Sequence, residues 1–177
     1  MTVYTIGHSN RAIAEFGALL RECTVELVAD VRSIPRSRAN PQFNIEALPA
    51  ELAAFGVSYQ HIPELGGRRH RRRGAPPSPN TFWRNQSFRN YADYADYAAT
   101  DAFKMGIGRL EELAHHHRCA IMCAEALWWR CHRRIISDYL LERGMRVLHI
   151  MGRRKLEPAA LTSNARRLTD GTLVYLA

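Results

Sequence analysis

Apolar residues recur along this chain with two alternating spacings. Val3–Ile6 is a short β-type run ending in Gly7-His8-Ser9-Asn10, after which Ile13, Phe16, Leu19 and Leu20 follow at helical intervals. Ser9 or Asn10 is placed to cap that helix. Glu26–Val31 reads as a second strand, followed by a loop rich in proline and arginine over residues 32–44. A helix is predicted over about residues 45–55 with Gly56 as its C-cap, then a third strand at Val57–Ile62. Cys119–Cys123 is a fourth strand, residues 129–143 a helix closed by Gly144, and Arg146–Ile150 a fifth strand. The tail predicts a helix around residues 158–168 and a last strand at residues 173–176.

The third and fourth strands are joined by a long stretch of mixed character. Residues 66–88 hold two glycines, the run Arg68-Arg69-His70-Arg71-Arg72-Arg73 and a Pro-rich segment, and read as a basic flap or a partly disordered loop. Helical pattern then runs from Arg89 to His117 with a break near Thr100, and Tyr91, Tyr94 and Tyr97 form a stripe facing the core or the flap. Strands alternating with helices predict an α/β fold, a mostly parallel sheet with helices on both faces in a Rossmann-like three-layer α/β/α arrangement. With 177 residues and 46% hydrophobic content, one domain over residues 1–177 is expected.

Composition narrows the setting. No apolar run approaches the roughly 20 residues that span a bilayer, so no membrane partner is expected. The N-terminus reads as a first strand rather than a signal peptide, and Cys23, Cys119, Cys123 and Cys131 as reduced thiols, which predicts a cytoplasmic location. The net charge is +8, and five of the arginines sit in the 68–73 run, so the excess is local and suited to a phosphate-containing small molecule or a nucleic acid. An arginine bias also arises from genome composition alone.

In an open parallel sheet, ligands bind beyond the carboxyl ends of the strands. The four strand ends carry His8 and Asn10; Asp30 and Arg32, with Arg36 and Arg38 beyond; His61 and Glu64; and Cys123 and Glu125. By period two, Cys119, Ile121, Cys123 and Glu125 share one side of the fourth strand. His132 falls in the first turn of the next helix pointing toward the sheet, with Cys131 beside it and Arg133 at the rim. A helix N-terminus binds anions and acidifies a thiol. Each residue also has a structural reading: Cys123 as core, Cys131 and His132 as cap and packing, Glu125 as half of an ion pair with Arg32, Arg133 or His61.

Standard templates fit poorly. Cys123 is seven residues from Arg130, whereas the phosphatase loop needs Cys-x5-Arg, and neither a Gly-x-Gly-x-x-Gly nor a Walker motif is present. Cys123, Cys131, His132 and His61 are conceivable zinc ligands, but the tight Cys-x2-4-Cys knuckle is missing, so no metal or cofactor is expected.

Taken together, Thr5-Ile6-Gly7-His8-Ser9-Asn10-Arg11, residues 30–38 (DVRSIPRSR), Gln42-Phe43-Asn44, residues 61–67 (HIPELGG), Phe88-Arg89-Asn90-Tyr91-Ala92, Met122-Cys123-Ala124-Glu125 and Arg130-Cys131-His132-Arg133 resemble the domain-of-unknown-function 488 (DUF488) family over roughly residues 4–152. The resemblance implies a stand-alone prokaryotic α/β protein with these residues at one site, and brings no established reaction. Trp128 stands where relatives often have proline, and the His-x-Leu-Thr pattern common near the tail is Ala159-Ala160-Leu161-Thr162 here.

The expected function is a hydrolase or transferase acting on a phosphorylated or nucleic-acid substrate. Arg32, Arg36, Arg38 and Arg133, with His8, Asn10, His61 and Glu64 around them, would hold the anion. Glu125 or His132 would move the proton, Cys123 or Cys131 would be the nucleophile and Asp30 would orient a partner. The flap and Trp83 would close on backbone and bases. The alternatives are a non-catalytic nucleic-acid-binding module and a thiol- or metal-dependent sensor.

Overall fold

The structure, a computed structural model, describes residues 1–71, 73–83 and 89–177. Six strands form the central sheet: β1 (Thr2–Gly7), β2 (Leu27–Asp30), β3 (Ser58–His61), β4 (Cys119–Cys123), β5 (Arg146–Gly152) and β6 (Lys155–Pro158). They lie in the order β3-β2-β4-β1-β5-β6, with the first five parallel and β6 antiparallel to β5. The helices are α1 (Ile13–Glu22), α2 (Leu48–Ala53), α3 (Arg89–Ala98), α4 (Asp101–His116) and α5 (Arg133–Glu142). The alternation read from the sequence therefore gives the expected α/β fold. Among the described residues no helix is long and apolar enough to cross a membrane.

Strands buried on both faces need apolar residues at every position, which is why β4 (CAIMC) and β2 up to Ala29 read as apolar runs, with Asp30 closing β2. Period two divides β4 between two cores. Cys119, Ile121 and Cys123 pack with residues of α3, α4 and α5, whereas Ala120 and Met122 pack with residues of α1 and α2. The tyrosine stripe meets the first core, and its hydroxyls donate to main-chain carbonyls: Tyr91 to Trp129, Tyr94 to Leu65 and Tyr97 to Glu64. The helical stretch breaks at Thr100, whose Oγ1 caps α4 by accepting from the Phe103 amide at 3.4 Å.

Four expectations from the sequence are corrected. Neither Ser9 nor Asn10 caps α1; the cap is Ala12, and Ser9 instead turns the chain with φ 49°. The helix expected over residues 45–55 shrinks to Leu48–Ala53, with Pro41–Phe43 forming a separate 3-10 turn. Residues 128–130 are also a 3-10 turn, so α5 begins at Arg133 with His132 as its N-cap. The tail helix is absent. There Lys155–Pro158 edges the sheet, and β7 (Ala165–Arg167) pairs with β8 (Leu173–Tyr175). That hairpin is held by the buried Asp138, whose carboxylate accepts from the Thr162 amide and the Tyr175 hydroxyl, both at 2.9 Å. A long-range carboxylate overrides the local helical pattern.

The strand order positions the site. From β1 the chain passes through α1 to β2 over one face of the sheet, whereas from β4 it passes through α5 to β5 over the other. Connections that leave neighbouring strands in opposite directions open a crevice at their carboxyl ends. β1 and β4 are those neighbours.

Candidate functional site

Beyond the sheet, the ends of β1 and β4 stay joined. The His8 amide donates to the Cys123 carbonyl at 2.9 Å, and the Ser9 amide to the Ala124 carbonyl at 3.0 Å. Gly7 allows this approach, because a Cβ there would lie 2.0 Å from the Glu125 carbonyl oxygen. A pocket of about 460 Å³ opens above the junction. Its wall includes His8, Arg32, Arg36, Cys123, Glu125, Cys131 and His132, together with Arg68, Tyr91 and Arg130.

Asp30 lies beneath one side of this pocket and fixes Arg32 in its wall. It is fully buried and accepts from the Arg32 amide (3.0 Å), Arg32 Nε (2.9 Å), Arg32 Nη2 (2.6 Å) and the Tyr59 hydroxyl (2.7 Å). Arg32 Nη2 also donates to the Phe43 carbonyl, and Nη1 reaches His8 Nε2 at 3.2 Å. His8 lies flat on Phe43 and donates from Nδ1 to the Ser9 carbonyl at 2.8 Å, leaving Nε2 to accept from Arg32. Burial lowers the His8 pKa to about 4 against the raising effect of that carbonyl, with Arg32 lowering it further. The imidazole is neutral at physiological pH. His61 donates to the Arg32 carbonyl at 2.8 Å from outside the pocket.

The opposite wall holds the thiols. Cys123 Sγ and Cys131 Sγ lie 2.7 Å apart. Cys131 also receives Arg133 Nε at 3.4 Å and the Arg133 amide at 3.5 Å, and His132 Nδ1 stands 3.5 Å away. His132 Nε2 donates to the Val31 carbonyl at 2.8 Å, which fixes a proton there and turns Nδ1 toward the sulfur. Burial pushes Cys131 up, but the Cys123 hydrogen bond and the positive charges of His132 and Arg133 outweigh it and leave Cys131 well below the ordinary thiol value. Cys123 moves the other way, raised by burial, then by its bond to Cys131 and the charge there. Within the pair, the surroundings of Cys131 favour its charged form and those of Cys123 its neutral form.

Arg133, expected at the rim, is instead 1% exposed. Its guanidinium is turned inward by donation to the Glu125 and Ala126 carbonyls and to Thr5 Oγ1, so it supports the thiolate from below. The Thr5 hydroxyl passes the chain on to His149 Nδ1 at 2.7 Å, and Trp128 stacks on that imidazole at 4.3 Å. Trp128 thereby acts as a lid on a buried histidine. Burial, with Arg133 adding to it, lowers His149 to about 4.

Glu125 departs from the expected ion pair. Its side chain is half-exposed on the pocket wall, Oε1 accepts from the Leu127 amide at 3.3 Å, and no salt bridge of Glu125 occurs among the described residues. Asn10, Arg38, His61 and Glu64 do not line the pocket. Asn10 and Arg38 are exposed on loops that turn away, and the Glu64 carbonyl is engaged by Tyr97. Arg36 reaches the pocket mouth while pairing with Glu46. Asp30 and Arg133 lie beneath the wall as positioning residues.

Trp83 is 3% exposed, stacked on Tyr91 and covered by the Arg134 guanidinium, so it belongs to the core rather than to a base-stacking flap. Arg72 and residues 84–88, parts of the expected flap, lie outside the described residues, as does Phe88 of the Phe88–Ala92 motif. The sequence reading missed Arg130 and Gly67 as site residues, and expected Arg68 only as part of the flap. Gly67 packs against His132, and a Cβ there would lie 2.3 Å from Nδ1. The double glycine after the third strand was the available signal. Arg130 sat inside a quoted motif, but its exposure depends on the 3-10 turn.

The family model described as "Domain of unknown function DUF488" matches residues 12–140 of the 177, and the chain belongs to that family. The match runs from the segment before α1 through most of α5 and includes every wall residue of the pocket except His8. Comparison with curated proteins and with solved structures gave no match.

Proposed function

We propose that this DUF488 protein is a thiol-dependent hydrolase or transferase acting on a phosphate-bearing substrate. One observation carries the reading. Cys131 Sγ, met by Arg133 Nε and the Arg133 amide with His132 Nδ1 3.5 Å away, lines a pocket whose mouth holds Arg36, Arg68 and Arg130. A depressed thiol beside titratable partners in a cleft is the setting of a nucleophile. The sequence alone placed the chemical burden on Glu125 and His132; in this reading Cys131 is the nucleophile and those two are proton carriers.

The chemistry divides among the wall residues. The arginines hold the phosphate, and Arg32 completes the positive surface while locked to Asp30. Cys131 Sγ attacks the electrophilic atom, and the leaving group takes the proton held at His132 Nδ1. Glu125, free of any ion pair among the described residues, then takes a proton from water or an acceptor alcohol. The oxygen displaces Cys131, and the proton returns to His132. The pocket volume of about 460 Å³ suits a ligand of nucleotide size.

The non-catalytic nucleic-acid module is less well supported. Arg69 donates to the Gly66 and Pro63 carbonyls and lies over Tyr97, and Arg71 pairs with Asp96. These arginines hold their own loop.

Titration with inorganic phosphate and with adenosine monophosphate, followed calorimetrically, tests the anion site. Saturable binding is expected, weakened about tenfold or more in Arg130→Ala and again when Arg68→Ala is added, as for the loss of charged hydrogen bonds. Absence of saturable binding, or equal binding by the variants, contradicts the proposal.

A further inference from the structure

We propose that Cys123 and Cys131 are a redox site, closing reversibly to a disulfide that blocks the pocket. As regulation of the thiol site it rests on the proposed function for its effect on turnover, though not for the bond itself.

Three observations carry it. The sulfurs are 2.7 Å apart, and a covalent S–S bond is about 2.05 Å, so closure requires only a small shift. The two cysteines differ in surroundings as an attacking and a resolving thiol must. Cys131 Sγ receives Arg133 Nε and the Arg133 amide, whereas Cys123 Sγ meets the Glu125 main chain. Both also line the pocket, which gives a small oxidant access. Of the other cysteines, Cys119 starts β4 and is buried, and Cys23 follows α1.

A soft metal is the competing occupant, since Cys123, Cys131 and His132 present donors within 4.8 Å of one another. Tetrahedral zinc with Zn–S of about 2.3 Å needs its sulfurs roughly 3.8 Å apart. The observed 2.7 Å fits sulfur–sulfur chemistry instead.

The oxidant is a peroxide. The Cys131 thiolate attacks one peroxide oxygen, the O–O bond breaks, and Cys131 sulfenic acid forms with release of hydroxide. Cys123 sulfur then attacks Cys131 sulfur, the S–O bond breaks, and the departing hydroxide takes the Cys123 proton as water. The two sulfurs lose two electrons, and the peroxide becomes water and hydroxide. A dithiol returns the electrons by exchange and is itself oxidised to its disulfide. Closure removes the thiolate from the pocket and leaves Arg133 without its charged partner.

The test treats the full chain with equimolar hydrogen peroxide, alkylates remaining thiols and maps peptides without reduction. Cleavage after Arg118, Arg130 and Arg133 separates residues 119–130 from residues 131–133. The expected product joins these two peptides, disappears with dithiothreitol and is absent in Cys123→Ser, where Cys131 instead stops at the sulfenic acid, since one peroxide carries it no further. A product that persists in Cys123→Ser identifies Cys119 as the partner and overturns the proposal. So does alkylation of both Cys123 and Cys131, or a link between molecules. If the bond forms but the reduced protein has no thiol-dependent turnover, the catalytic reading falls and the redox site stands. Turnover lost in Cys131→Ser without any bond in the wild type gives the reverse.

Discussion

Cys131→Ser is expected to lower turnover by about 10³-fold or more while phosphate binding and folding persist. The substitution keeps the size of the side chain and leaves an oxygen where Arg133 Nε and the Arg133 amide now meet sulfur. What it removes is the charge. Among the cysteines, Cys131 alone combines a lowered pKa with a histidine nitrogen beside it, and a serine hydroxyl in the same place stays protonated. Cys123→Ser is expected to cost far less, since Arg133 and His132 still hold the thiolate. Glu125→Gln should fold and bind normally yet lose turnover, because among the described residues the carboxylate has no structural partner to lose other than the Leu127 amide. Steady-state kinetics on phosphate esters and nucleotides, with binding measured in parallel, separates these outcomes. Loss of binding together with rate in Cys131→Ser would assign Cys131 to structure instead.

Asp30→Ala is expected to destabilise the protein by about 3–5 kcal/mol, the cost of leaving one partner of a buried pair uncompensated. Asp30 is fully enclosed, and Arg32 is 6% exposed. Without the carboxylate, the guanidinium remains buried with only the Phe43 carbonyl and His8, and the Tyr59 hydroxyl loses its acceptor. Asp30→Asn keeps the shape and part of the bonding and should fall between the two. Urea unfolding measures both. A change below about 1 kcal/mol for Asp30→Ala would mean that water replaces the carboxylate, and Arg32 would then be a mobile ligand arginine rather than a fixed wall.

Much of this arrangement was legible because it follows local rules. Period two along β4 separated Cys119, Ile121 and Cys123 from Ala120 and Met122, and the two cores divide them in that way. The strand-end rule gathered His8, Arg32, Cys123 and Glu125, which do share a pocket. Long-range satisfaction of polar groups was not legible. Arg133 is drawn inside by the carbonyls of Glu125 and Ala126, eight and seven residues back across an irregular loop. Asp30 and Arg32 fall on one side by period two, but no local rule shows that they bond to each other or that Tyr59 and the Phe43 carbonyl complete the set. Trp128 and Trp129 extend the helical apolar pattern but form a 3-10 turn, so the helix begins late and its N-terminus falls beside Cys131. A late start is what sets the thiol against the free amide of Arg133.

The state of Cys131 can be read directly from the pH dependence of its alkylation. Iodoacetamide reacts with thiolate, so the rate for the peptide of residues 131–133 reports the charge on that sulfur. With a pKa held well below the ordinary thiol range, the thiolate is already formed at neutral pH, and the predicted rate is nearly level between pH 7 and pH 9. A rate that climbs about tenfold per pH unit up to about 8.5, as for a free cysteine, would contradict the thiolate and with it the catalytic reading.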